Sequence, residues 1–240
     1  MVMTGGSRMN PQRKDGEGAV MGVVGAPVSR RRAGRPPRGL LSRDLITDAA
    51  LALIASQGYE GLTMSALAQR LRVAPSALYN HAESKQEVLR WVEDEVMAKV
   101  DFSSFAAAPW DEAVRAWAWS YRGVFAAHAP LISVIAILPV TGAPETLAMY
   151  EAVTKGFLDA GWPADRIIPA IVALESFIFG SAFDVAAPED IFESGSLGPD
   201  YPLFTAAVRR RGGSQADSAD AAFTIGLEAL ITGLKAQVAG

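Results

Sequence analysis

The 240-residue chain contains no cysteine and only two histidines, His81 and His128. Without thiols there is no disulfide, no thiolate zinc site and no cysteine nucleophile. Two imidazoles are too few for a histidine metal cluster, so no metal and no cofactor are expected and little raw material for an enzyme remains. No alternating apolar–polar pattern of useful strand length occurs. A secretory leader is also missing, because no continuous apolar stretch precedes a small-residue cleavage site; a cytoplasmic protein without a membrane partner is expected. The closest approaches to a membrane span are residues 131–140, half the needed length, and residues 167–187. The latter carry Glu175, Asp184 and Pro169. A carboxylate in mid-span costs roughly 2.5–3.5 kcal/mol, so a buried helix is the better account.

What is present is ordinary in bulk and uneven in detail. Half the residues are apolar and a fifth charged, as in soluble globular proteins, and the length suffices for one large domain or two modest ones. The net charge of −4 hides an asymmetry. Residues 1–41 hold eight Lys/Arg against two acids, whereas residues 100–240 hold eight against sixteen. A basic end on an acidic body points either to a polyanion met at that end or to a solvated tail without a fixed role. Residues 1–29 have no helical or strand period. Residues 30–41, RRRAGRPPRGLL, pair five arginines with a Pro-Pro step that disfavours helix. Together, residues 1–41 read as a disordered basic arm, with Arg31, Arg32, Arg35 and Arg38 as candidates for minor-groove contact.

Residues 42–100 read as four helices. Ser42 is a good N-cap with Asp44 in the first turn. Leu45, Ala49, Leu53 and Ile46, Ala50, Ile54 mark a buried face over 43–57, and Gly58 closes the helix. Thr63 caps a short helix over 64–71 with Leu67, Ala68 and Leu71 inward. The turn Arg72-Val73-Ala74 leads to a second short helix over 75–80, opened by Pro75. Ser84 caps a longer helix from 85 to about 100, striped by Val88, Leu89, Val92 and Val96. Beyond Pro109-Trp110 about five more helical patterns follow, at 111–127, 130–138, 143–160, 164–185 and 217–238. Residues 188–202 read as a long surface loop, and Gly212-Gly213 after Arg209–Arg211 as another break. The fold class is all-α.

Two short helices joined by a tight turn and braced by a preceding helix form a helix-turn-helix DNA reader. The second helix must project so that its first side chains reach base edges, and Val73 is the apolar plug between the pair. The run GYEGLTMSALAQRLRVAPSALYNHAESKQEVL, residues 58–89, resembles the DNA-binding signature of the TetR family. It is similar at Gly61-Leu62-Thr63, Leu67-Ala68, Leu71-x-Val73, Ala77-Leu78-Tyr79-x-His81 and Lys85. The resemblance implies a three-helix DNA-binding domain over 42–88 and a helical-bundle domain for effector binding and dimerisation over 89–240. It implies DNA contacts from Thr63, Arg72, Pro75, Ser76, Tyr79, Asn80, His81 and Lys85, alongside Arg35 of the arm. Arg72 stands where many relatives have Gly; a side chain at positive φ costs on the order of 1 kcal/mol, and a DNA contact would compensate.

The resemblance extends, more weakly, to the effector half of the tetracycline-responsive members. The position of their drug- and metal-contacting His is Ile135 here, and that of their metal-associated Glu falls near Asp184, which argues against a magnesium–tetracycline ligand. Trp117, Tyr121, Phe125, Ile135, Leu138, Met149, Phe177 and Phe183 are candidates to line a pocket for a small apolar effector; an aromatic stripe at helical spacing is equally compatible with plain core. In the family the last two long helices of each subunit form the dimer interface. Here those are residues 167–185 and 219–238, with small residues Ala170, Ala173, Gly180, Ala222, Gly226, Ala229 and Gly233 permitting close approach. Ile171, Leu174, Ile178, Ile225, Leu227, Leu230 and Leu234 would supply the apolar area. The expected function is a ligand-responsive repressor that binds palindromic operator DNA as a homodimer. A transcriptional activator and an effector-independent DNA-binding protein are the alternatives.

Overall fold

Local capping chemistry starts the fold as the sequence suggests. The computed structural model describes residues 41–238, so the arm with Arg31, Arg32, Arg35 and Arg38 lies outside the described residues. Helix α1 spans Arg43–Gly61, and the Ser42 Oγ accepts the Leu45 N–H at 3.2 Å. Gly58, at φ +71°, breaks the helical geometry near its end, a conformation that only glycine adopts without strain. Ile46, Ala50, Leu53 and Ile54 turn inward, but Leu45, expected beside them, is exposed. Helices α2 (Met64–Leu71), α3 (Pro75–Tyr79) and α4 (Lys85–Met97) follow, and Thr63 and Ser84 cap α2 and α4 through their hydroxyl oxygens.

The second half contains α5 (Trp110–Ala126), α6 (Ala129–Ile135), α7 (Pro144–Asp159), α8 (Ala164–Val185), α9 (Pro202–Arg210) and α10 (Gln215–Val238). Among the described residues there is no strand. Helix α9 was not anticipated. Its Pro202 sits in the first turn, where the missing N–H costs nothing; Leu203, Phe204, Ala207 and Val208 recur at helical spacing, but no side chain of the helix is buried. Part of the expected 188–202 loop is a 3-10 turn at Gly195–Asp200, and another such turn, Ser103–Ala106, leads into α5.

One continuous core runs from α1 to α10. Helix α1 packs on α4 and α6, α4 on α7, and α8 on both α5 and α10. Trp110, Phe157 and Trp162 form an aromatic knot, with ring centroids 4.8–5.3 Å apart. Arg122, buried on α5, reaches Asp220 on α10 at 2.6 Å and Ser181 on α8 at 3.0 Å. Arg115 pairs with Glu228, and Lys235 with Asp111 at 2.6 Å, which fastens α5 to α10 along most of their shared length. Helix α8 is long and apolar enough to cross a membrane, yet its Glu175 is hydrogen-bonded to tyrosines of α5 and α7 within the bundle.

The α8 and α10 surfaces divide differently from the expectation. Ile171, Leu174 and Ile178 on α8, and Leu227 and Leu234 on α10, are buried in the chain's own core. The outward apolar positions are Ile168, Val172 and Phe183 on α8 and Ile225 on α10, the last 72% exposed. Helices that are apolar on most sides do not announce in sequence which stripe faces in. The small residues Ala173, Gly180, Ala222, Ala229 and Gly233 do lie on exposed positions. Gly226 instead serves the interior: a Cβ there would run into the Phe177 ring, which stacks on Phe223 at 5.3 Å.

Candidate nucleic-acid interface and effector core

The paired helices α2 and α3 are assembled from short-range bonds. Thr63 Oγ1 accepts the Ala66 N–H at 3.0 Å, starting α2. Arg72 ends it in the left-handed region at φ 55°, ψ 39° and is the one non-glycine residue with positive φ among the described residues. The Val73 N–H then bonds the Ala68 carbonyl at 3.0 Å, and Val73 itself packs against the core as the plug between the helices. Leu78 and Ala82 are fully buried, which fixes the orientation of α3. Pro75, Ser76 and Tyr79 of α3, and Asn80 and His81 just after it, are exposed, as are Thr63 and Arg72, while Ala77 is half-buried.

Tyr79 is 51% exposed despite its apolar ring. Ser76, Tyr79 and Asn80 share one face by their three- and four-residue spacing. Lys85 differs from its neighbours. Its ammonium donates to the Tyr59 carbonyl at 3.3 Å and sits 3.7 Å from the centre of the Tyr59 ring, so it ties the start of α4 to the end of α1. Arg35 lies outside the described residues.

Six of the eight effector-site candidates belong to the interior of the bundle. Trp117, Tyr121 and Phe125 run along the inner face of α5 with successive ring centroids 5.5 and 5.1 Å apart, and Phe179 of α8 meets the last two edge-on. Trp117 Nε1–H points at Met149 Sδ on α7, 3.3 Å away. Ile135 is buried on α6, and Leu138 packs partly exposed against the same core. The other two lie elsewhere. Phe177 stacks on Phe223 between α8 and α10, and Phe183 is exposed on α8. A hollow of about 430 Å³ on that side is lined by Phe177, Gly180, Asp184 and Phe223, among others.

A set of acidic and phenolic groups that sequence reading did not assemble completes the interior. Glu175 Oε1 accepts hydrogen bonds from Tyr121 at 3.1 Å and Tyr150 at 2.8 Å. Burial raises the Glu175 carboxyl above its ordinary range, and burial with the nearby Glu175 charge pushes both tyrosines up. Glu93 on α4 is raised to about 7 by burial first, then by Asp94 and Glu175, with Arg90 opposing. Beside it, Asp94 Oδ1 accepts the backbone N–H groups of Glu145 and Thr146 at 2.8 and 3.3 Å. Asp94 Oδ2 meets Arg43 of α1 at 3.5 Å. One carboxylate therefore joins the brace helix of the reader, the connecting helix α4 and the first turn of α7. The only hint in sequence was three successive acids at 93–95 on an otherwise apolar-striped helix.

Comparison with known proteins matches two stretches of the chain to two family models. Residues 46–92 match the family of bacterial regulatory proteins of the tetR type, and residues 106–238 match the tetracyclin repressor-like C-terminal domain. The chain is 26% identical over 200 residues to the class E tetracycline repressor protein of Escherichia coli, covering 82% of this chain and 92% of that protein. It is 28% identical over 160 residues to an HTH-type transcriptional regulator of Saccharopolyspora erythraea, covering 67% of each. Among solved structures, the Streptomyces coelicolor TetR family protein ActR in complex with (S)-DNPA superposes with a TM-score of 0.67 at 25% identity, covering 82% of this chain and 98% of that one. With the reader and the bundle both matched, in order and over most of their length, the protein belongs to the TetR family of transcriptional regulators.

Proposed function

We propose that the chain is a homodimeric, effector-released repressor whose residues 42–88 read DNA and whose residues 89–240 bind the effector and the second subunit. The observation that carries this reading is the outer face of α3. Ser76, Tyr79, Asn80 and His81 are exposed around a helix held in place by Leu78, a display that contributes little to the core and suits base edges and phosphates. Thr63 and Arg72 flank it, and Pro75 opens it. Lys85, held by Tyr59 at the end of α1, keeps further N–H donors for a phosphate.

A five-residue helix meets few base pairs, so specificity needs two copies. A two-fold dimer places its recognition helices about 34–36 Å apart, one turn of the duplex, and its operator is palindromic for the same reason. Exposed Ile168, Val172, Phe183 and Ile225, interspersed with Ala and Gly on α8 and α10, supply the apolar face for the second subunit. The effector enters among α4, α5, α7 and α8, displaces the aromatic file of Trp117, Tyr121 and Phe125, and moves α4. Because α4 begins just after α3, the separation of the two recognition helices changes and the half-sites can no longer be met together. The effector does this only through a higher affinity for the released state. Such a protein acts on chromosomal DNA, in the cytoplasm.

A gel shift on the DNA flanking its own gene, repeated with a panel of small apolar compounds, tests the proposal. A sequence-specific shift that one compound abolishes is expected. Binding that is equal for all duplexes and indifferent to every compound would overturn it.

A further inference from the structure

Two carboxylates stand inside the bundle without a cationic partner among the described residues. Glu93 is 3% exposed, and its Oε2 has no hydrogen-bond partner among the described residues. Glu175 carries both of its tyrosine bonds on the single oxygen Oε1. The groups interact: Glu175 acts on Glu93, and Glu93 on the hydroxyls of Tyr121 and Tyr150. Helix α7 connects the two neighbourhoods: the Thr146 N–H bonds Asp94, next to Glu93 in the chain, and Tyr150 on the same helix bonds Glu175. Thr146, one turn before Tyr150 on α7, also buries a hydroxyl oxygen without a partner. Of the charged groups nearby, Asp94 is committed to the first turn of α7, and Arg90 is the weakest of the influences on Glu93.

A buried carboxylate without a counter-charge is costly, and so is an unsatisfied acceptor. A hydrogen-bond donor that also carries positive charge removes both costs. We propose that Glu93 and Glu175 form the polar end of the effector site and take the protonated amine of an effector whose body is apolar or aromatic. This deepens the proposed function and rests on its placing the effector among α4, α5, α7 and α8. The surroundings favour an organic cation over a metal ion. The rings of Trp117, Phe125 and Phe179 surround Tyr121, and aromatic ring faces attract organic cations. Among the described residues no group of three or more acidic or histidine side chains is placed to hold a metal. A neutral donor would satisfy Glu93 Oε2 but would leave the charge of the pair unbalanced.

The test compares two probes of matched size, phenylbutylamine and phenylbutanol, by calorimetric titration of the full chain. The amine is expected to bind about tenfold more tightly than the alcohol, the scale of a hydrogen bond to a charged group. Its binding near neutral pH should release a proton, read from the change in heat between buffers of different ionisation enthalpy. Glu93→Gln and Glu175→Gln should each erase the amine preference, the amine's affinity falling to that of the alcohol for the same variant. Should Glu175→Gln fail to fold, Glu93→Gln, whose Oε2 has no bond to lose, carries the test. Equal affinity for amine and alcohol, or a preference that survives Glu93→Gln, overturns the proposal. If the alcohol binds and releases DNA without any advantage for the amine, only the amine site falls; if no apolar compound binds or releases DNA, the effector core falls with it.

Discussion

Asp94 Oδ1 accepts the backbone N–H of Glu145 at 2.8 Å, joining α4 to the first turn of α7. The bond pairs a carboxylate with the positive end of a helix dipole, and the same side chain reaches Arg43 of α1. Asp94→Ala is therefore expected to cost about 1–3 kcal/mol of stability, since it strips the α7 N-terminus of its acceptor. Thermal unfolding gives the cost. In a gel shift the variant should still bind DNA but respond less to any effector, because α4 and α7 no longer move as one.

Stability should depend on pH through Glu93. Its carboxyl is raised to about 7 in the folded chain but titrates near 4.5 once unfolded, so the folded state holds the extra proton between those values. The contribution is complete below about pH 4.5 and is lost as pH rises through 7. A decline on the order of 2 kcal/mol between pH 5 and pH 8 is expected for the chain. Glu93→Gln should flatten that slope and be the more stable protein at pH 8. Urea denaturation at several pH values measures both.

Tyr79→Ala and His81→Ala remove exposed side chains, so each should leave stability within about 0.5 kcal/mol. Operator affinity should nevertheless fall about tenfold or more for each, as loss of a charge-assisted or phosphate contact requires. Equal affinity of these variants for a genuine operator would remove the outer face of α3 from the interface.

Arg72 offers the opposite trade. Replacing it with glycine relieves a left-handed backbone and should stabilise the chain by about 0.5–1 kcal/mol. If its exposed guanidinium meets a phosphate, the same variant binds operator less tightly and its binding depends less steeply on salt.

Ile225→Glu places a charge at an exposed apolar position on α10. If the proposed dimer forms through this face, the variant should keep its helix content but sediment as a monomer and lose specific DNA binding.

Those features of the fold that depend on near neighbours in the chain could be read in advance. Ser42, Thr63, Pro75 and Ser84 each act within one turn of the helix they begin, and Gly58 acts at its own φ, so the starts of α1 to α4 were legible to the residue, whereas α1 runs on to Gly61 and α4 stops at Met97. Features that depend on packing were not. Ile171 and Val172 are adjacent β-branched residues on an apolar helix, and only the docking of α5 and α10 decides that the first is buried and the second exposed. Glu175 meets Tyr121 and Tyr150 because α5, α7 and α8 pack together, a proximity that no spacing in the chain encodes. Helix α9 carries a stripe of Leu203, Phe204, Ala207 and Val208, but it is short and lies between a Gly- and Pro-rich stretch and an Arg–Gly break, which read together as loop.

The unbroken core that runs from α1 through α6 into α10 limits how freely the two halves can be exchanged. Since α1 leans on α6 as well as on α4, the DNA-reading half borrows part of its interior from the half that senses. A hybrid spliced near residue 92 would thus join two surfaces that were shaped for other companions. Transplanting this reader onto another sensor should succeed only when the contacting stripes of α4 and α6 travel with it.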